Sequence, residues 1–338
     1  MSQQKINRRK FLQYSAAGAV GLVIASCAPA ATGTTAPQAT ATTGGAQAGA
    51  TPTPIPAVKT TNTPVPTLTA AKYKQSPTLD DQVTGGKLPP VEERLPKNPL
   101  VLAPIDETGK YGGRIRQYYG YEGYFEESQY GHSPLRWVDD GMGIAPGLLD
   151  KWSANADNTV WTLHMREGVK WSDGEPADMN DVMFWWDNMT TRTDPANIDV
   201  PSEFCLDGTK LVTFTKVDDY TITLTYTNPA PLTAKRLAMW VKGNIGPRWI
   251  VPAHYIKQFL PKFNPEMKDM KTLQTKVLMR NNPDCPTLDP WMTTNYVAGT
   301  SRTSQRNPYY YAVDPEGNQL PYIDGIDETA ITDPQVRL

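Results

Sequence analysis

Downstream of residue 110 the hydrophobic and polar positions settle into two periods. Trp161, Leu163 and Met165 alternate with Thr162 and His164, the period of two expected of a strand with one buried face, and Gly168 with Asp173-Gly174 supplies turns after it. Tyr220, Ile222, Leu224 and Tyr226 alternate with Thr221, Thr223, Thr225 and Thr227. Asp218-Asp219 separates that run from residues 211–217, so the two segments predict a hairpin. Between these strands the period changes to that of a helix: Val182, Trp185, Trp186 and Met189 fall at i, i+3, i+4 and i+7. Asp178 is its expected N-cap, and Asp181 places negative charge in its first turn. The adjacent tryptophans are expected to pack onto a sheet; stacking on a sugar is their other use. A strand over 113–119 and a helix after Pro252, through Tyr255, Ile256 and Phe259, complete a mixed α/β chain with antiparallel elements and no alternating βαβ array.

The N-terminal part is a different polymer. Thr, Ala, Pro and Gly fill 36 of the 44 positions from Ala28 to Ala71, with one Lys and no carboxylate. Such a segment cannot bury enough apolar surface to offset its ordering entropy, so residues 27–71 read as a disordered tether. Residues 72–110 read as a Pro-rich approach in which Pro89-Pro90, Pro96 and Pro99 discourage regular structure, leaving 111–338 as the folded domain. Residues 1–26 have the order of an export signal: a basic stretch from Lys5 to Lys10, an apolar stretch from Ala16 to Ala25, and small residues before Cys27. Arg8-Arg9-Lys10-Phe11-Leu12 resembles the twin-arginine export motif, departing from it at Asn7. Ile24-Ala25-Ser26-Cys27 resembles a lipobox, which implies cleavage before Cys27 and lipid on its sulfur. Several acyl chains on one residue would hold the protein stably on a membrane, and the tether would let the domain reorient above it.

Charge and candidate chemistry narrow the function mainly by exclusion. The balance of 33 basic against 35 acidic residues offers no footprint for nucleic acid, and no run of 18 apolar residues exists. Gly131-His132-Ser133-Pro134-Leu135 fails the nucleophile-elbow pattern at its last position. His132, His164 and His254 stand far apart, and no paired-Cys or His-Glu spacing suggests a zinc site. His164, mid-strand among threonines, is expected to be a hydrogen-bonded structural imidazole. Asp173, Asp218 and Asp219 suit turns. Cys205 and Cys285 could pair or remain separate thiols, and the unpaired state is preferred. The pattern therefore implies no catalytic residue, no metal and no cofactor. It does offer aromatic surface: Tyr118, Tyr119, Tyr121, Tyr124, Phe125 and Tyr130 crowd the end of the first strand, broken by Gly120 and Gly123. Such rings either recognise a ligand or cover a sheet edge.

Several blocks then resemble one family. Pro146-Gly147-Leu148-Leu149-Asp150-Lys151-Trp152, the unbroken run from Trp161 to Pro176, and Asp181-Val182 are similar to the signature of family 5 extracellular solute-binding proteins. These are the peptide, nickel and oligosaccharide receptors of ABC importers. Val217-Asp218-Asp219-Tyr220, Pro252-Ala253-His254-Tyr255, Arg306-Asn307-Pro308-Tyr309-Tyr310 and residues 315–324 continue the resemblance. Near Thr293-Thr294-Asn295-Tyr296 the chain departs from the family's Gly-Thr-Gly-Pro-Tyr.

The resemblance implies a type II periplasmic-binding fold with two α/β lobes closing on a ligand. The sequence stops within the family's Asp-Pro-x-Val-Arg-Leu phrase, so only the N-terminal lobe and its subdomain are expected. In function, the resemblance implies an extracytoplasmic, lipid-anchored, monomeric receptor that hands an oligopeptide or oligosaccharide to an ABC permease and its ATPase. Ligand contacts are expected at Tyr119, Tyr121, Tyr124, Trp240 and Asn244. A secreted hydrolase with an acid pair and a nonfunctional remnant are the alternatives.

Overall fold

The computed structural model describes residues 67, 73–120, 133–138, 141, 143–190, 204, 211–238, 249–267, 270–276, 281–333 and 335–336. The export signal, Cys27, the tether other than Thr67, Tyr121, Tyr124, His132, Cys205, Trp240 and Asn244 lie outside these residues.

The Pro-rich approach carries more regular structure than its prolines suggested. Ser76 caps a 3-10 turn at Pro77–Leu79 by accepting from the Thr78 N–H at 3.4 Å. Two short helices follow, α1 (Asp80–Thr84) and α2 (Val91–Arg94), and then strand β1 (Leu100–Val101), which lies parallel to Ala312–Val313. Pro90 occupies the N-cap of α2, where the missing N–H removes no helical hydrogen bond. Arg94, at the end of α2, is fully buried. Its Nε donates to the Pro89 carbonyl at 2.9 Å, and its Nη1 donates to Gln319 Oε1 at 2.9 Å and to the Pro308 carbonyl. Its Nη2 donates to Gln75 Oε1. This guanidinium, whose pKa is brought down to about 10 by burial, holds residues 75–94 against residues 308–319.

Strand β2 (Arg114–Tyr119) follows, and then an antiparallel pair, β3 (Leu135–Trp137) and β4 (Ile144–Pro146). Strands β5 (Leu149–Ala154), β6 (Val160–Met165), β7 (Thr213–Lys216) and β8 (Thr221–Thr225) form a wholly antiparallel sheet in the order β5-β6-β8-β7. Alternation places Trp161, Leu163 and Met165 on its buried face, with Trp161 opposite Leu224 and Leu163 opposite Ile222. Helix α3 (Met179–Met189) is capped by Asp178, whose Oδ1 accepts from the Asn180 N–H at 2.8 Å. Trp185 is fully buried and meets Phe204 and Phe214 edge-on; Trp186 stacks on Phe214 of β7 with centroids 4.1 Å apart. Both tryptophans thus serve the core. Three short helices follow: α4 (Thr233–Ala238), α5 (Ala253–Ile256) and α6 (Met270–Lys276). The helix expected after Pro252 is α5 extended by a 3-10 turn, Lys257–Phe259.

Asp181 joins three of these parts. From the first turn of α3 its Oδ2 accepts from Trp171 Nε1 at 2.8 Å, and its Oδ1 accepts from the Ala253 N–H that opens α5 at 3.0 Å.

The last strands build a second, mixed sheet. β9 (Trp291–Val297), β10 (Ser301–Arg306) and β12 (Gly325–Ala330) join β2 in the order β2-β12-β10-β9, while β11 is the Ala312–Val313 partner of β1. β2 and β12 are parallel; β12, β10 and β9 are antiparallel neighbours.

Burial pushes the Asp181 carboxyl up to about 6, above the roughly 3.9 of an unfolded aspartate. The folded state therefore holds this proton more tightly. The group's contribution to stability is fully present below about pH 4 and is lost as pH rises through about 6. Asp181→Ala leaves two buried N–H donors without acceptors and is expected to lower the unfolding free energy by about 2–4 kcal/mol. It should also flatten the pH dependence across that window. Urea unfolding at several pH values measures both effects, and wild-type stability with a wild-type slope contradicts the assignment.

Candidate functional site

The parallel pair β2 and β12 runs in register from Arg114 beside Gly325 to Tyr119 beside Ala330, so both strands end together. The Ile331 N–H donates to the Tyr119 carbonyl at 2.7 Å immediately past that end. The β9–β10 turn, with Gly299 at φ 72°, closes at the same end, because the Ala330 N–H donates to the Thr300 carbonyl at 2.7 Å. The carboxyl ends of parallel strands are where open α/β sheets characteristically receive ligands.

One row of side chains crosses the sheet at this level. Gln117 of β2 lies beside Glu328 of β12, Glu328 faces Arg302 of β10, and Arg302 faces Tyr296 of β9. Arg302 Nε donates to Glu328 Oε2 at 2.5 Å, and both side chains are wholly shielded from solvent. Strand alternation sets Ile115, Gln117 and Tyr119, all half-buried, on one face of β2, and exposed Arg114, Arg116 and Tyr118 on the other. The Tyr119 hydroxyl donates to Gln117 Oε1 at 2.7 Å.

Of the five ligand-facing residues expected from sequence, Tyr119 is thus placed at the carboxyl end of the parallel pair; the other four lie outside the described residues. Gln117 was not among them. Its only sequence signal is its spacing of two from Tyr119, which puts both on one face of a strand.

Other candidate groups stand elsewhere. A cleft of about 350 Å³ lined by Leu102, Pro104, Trp291, Tyr310, Leu320 and Tyr322 opens at the amino ends of β2 and β12, away from Tyr119. His164 Nδ1 meets Asp150 Oδ1 at 2.6 Å, the structural imidazole expected from its setting. His254 Nε2 meets Asp173 Oδ2 at 2.8 Å, and the Asp173 bond holds the imidazole pKa above its ordinary value. Among the described residues no hydroxyl or thiol hydrogen-bonds either ring, so neither forms a nucleophile–base pair. Asp173 and Asp218 also perform turn duty, accepting from the Glu175 and Tyr220 N–H groups. Cys285 is a free, buried thiol, and burial pushes its pKa up.

Residues 143–338 match the family described as bacterial extracellular solute-binding proteins, family 5 Middle. The periplasmic alpha-galactoside-binding protein of Rhizobium meliloti strain 1021 is 33% identical over 267 residues, 72% of this chain and 37% of that protein. The periplasmic oligopeptide-binding protein OppA of Salmonella typhimurium is 32% identical over 134 residues, 35% of this chain and 23% of that protein. Among solved structures, an oligopeptide-binding protein OppA superposes with a TM-score of 0.70 at 32% identity, over 79% of this chain and 42% of the other. MelB of Agrobacterium fabrum C58, solved with stachyose, gives 0.64 at 24% identity over 78% and 41%, a likeness of fold alone. The chain thus spans less than half the length of these relatives.

The shielded Arg302–Glu328 pair supports the floor of this end of the sheet. Glu328→Leu removes the carboxylate that faces a buried guanidinium and is expected to cost about 3–5 kcal/mol, whereas Arg302→Met combined with Glu328→Leu should recover most of that loss. A double-mutant cycle by chemical unfolding measures the coupling; additive losses contradict it.

Proposed function

This chain belongs to the bacterial extracellular solute-binding proteins of family 5, and on that premise we propose that it is the capture subunit of an ABC importer, binding an oligopeptide or oligosaccharide outside the cytoplasm. Its fold is the mixed α/β type II periplasmic-binding fold. The relatives it matches are named as binding proteins, and the proposed role is likewise reversible binding without chemistry. The observation that carries the reading is the joint carboxyl end of β2 and β12, where Tyr119 stands at the start of the Gly-broken aromatic stretch. Rings there give contact area at low entropic cost, and a few fixed polar groups orient the solute.

The N-terminal residues support the cellular half of the proposal. The basic, apolar and small-residue stretches ahead of Cys27 suit export and lipid attachment, and the Thr/Ala/Pro-rich tether suits a receptor that must turn toward a permease. In this reading the receptor is a monomer, and its partners are the permease and ATPase subunits and the membrane that holds the lipid. Closure of two lobes around the solute would be the signal the permease reads.

Thermal unfolding of the full-length protein against a panel of neutral oligosaccharides and short peptides tests the proposal. A solute at 100 times its Kd is expected to stabilise the protein by about 2.7 kcal/mol, a rise of several degrees in Tm, and to be recovered unchanged afterwards. No shift across the panel, or conversion of a solute into product, contradicts it.

A further inference from the structure

Resting on the capture reading, a narrower assignment comes from the hydrogen bond between Tyr119 and Gln117. The Tyr119 hydroxyl donates to Gln117 Oε1 at 2.7 Å, so the phenol oxygen is engaged inside the strand, and the residue as a whole is half-buried. The same bond fixes the orientation of the Gln117 amide. With Oε1 occupied, its Nε2 hydrogens point away from Tyr119, and no acceptor among the described residues meets them. Gln117 is half-buried, at the margin of the core instead of within it.

Among the described residues, the charges on this face are paired. Glu328, beside Gln117 across the parallel pair, is neutralised by Arg302 within a pair that solvent does not reach. Arg114, Arg116 and Asp327 belong to the opposite face by strand alternation, and Arg114 is engaged by Asp327. Among the described residues, this level of the sheet therefore presents part of an aromatic ring, two neutral N–H donors and no unpaired charge. A zwitterionic peptide terminus would find no unpaired counter-charge here among the described residues. A sugar ring offers hydroxyl and ring oxygens as acceptors and an apolar C–H face for stacking.

We infer that Gln117 determines specificity for an uncharged oligosaccharide, donating its amide hydrogens to sugar oxygens, with Tyr119 as the residue that positions it. Isothermal titration of the full-length protein with raffinose and with trialanine tests this. Raffinose binding is expected, with trialanine much weaker. Gln117→Ala should weaken raffinose binding by about tenfold, the value of roughly one to two hydrogen bonds. Gln117→Glu, nearly isosteric, replaces the donors with a charged acceptor and should weaken it by more than Gln117→Ala. Tyr119→Phe keeps the ring, frees the amide, and should weaken binding by about threefold, within the range of one neutral hydrogen bond. Far-ultraviolet melting of each variant confirms that the fold is kept.

Undiminished raffinose binding in both Gln117 variants overturns the assignment and leaves the capture reading standing. Trialanine binding without raffinose binding also overturns it while supporting capture of a peptide. Failure of the wild-type protein to bind either probe counts against the assignment and the capture reading together.

Discussion

The parallel pairing of β2 with β12 is the constraint on which the rest of the structure depends. Two parallel strands cannot be joined by a tight turn, so the chain between them must make an excursion and return. Here the excursion is the antiparallel sheet with its helices, followed by the β9–β10 hairpin. Closing so long a loop costs entropy that grows only slowly with length, and dense contacts at the junction offset it. Arg114 and Asp327, 213 residues apart, make a two-pronged ion pair at 2.8 and 2.7 Å across the junction. Gly325 sits where a Cβ would come within 2.4 Å of the Ser304 carbonyl and 2.2 Å of the Arg114 guanidinium. Only glycine lets the three strands approach this closely without displacement. Because both strands then run the same way, their carboxyl ends form one edge, and that edge is where the proposed site lies.

A second theme is that buried guanidinium groups knit distant loops by donating to backbone carbonyls. Arg94 joins the segment ahead of β1 to residues 308–319. Arg166 donates to the Gly147 carbonyl at 2.8 Å and to the Asn98 carbonyl at 2.6 Å. Arg306 donates to the Tyr322 carbonyl and to Asp324 Oδ1, each at 2.9 Å, and its guanidinium lies over the Tyr111 ring. Arginine suits this use because it stays charged and its planar fork reaches several acceptors at once. Carbonyl oxygens are abundant in irregular segments, so one arginine can order a stretch that has no ladder of its own.

These two features explain what could be read from sequence and what could not. The strand around Trp161, the threonine-alternating strand after Asp219 and the Asp178-capped helix were legible because period, cap and turn are local properties. The roles of Trp185 and Trp186 followed from the same helical stripe. The structure in residues 77–101 was not legible, because Arg94 finds its acceptors at Pro308 and Gln319, far along the chain. The placement of β2 beside β12 has the same cause: no local pattern names a parallel partner. At the site, the tyrosines drew attention by composition, whereas Gln117 matters through a hydrogen bond and a cross-strand neighbour.

In the proposed function the carboxyl edge of β2 and β12, with Tyr119 and Gln117, takes up a solute reversibly, while the cleft at the opposite edge has no part in capture. Hydrogen–deuterium exchange of the full-length protein, with and without saturating raffinose, separates these edges directly. Slower exchange is expected at the amides around Tyr119 and Ile331, with no change around Trp291 and Tyr322. Unchanged exchange at the carboxyl edge, with protection confined to the Trp291 and Tyr322 cleft, would contradict it.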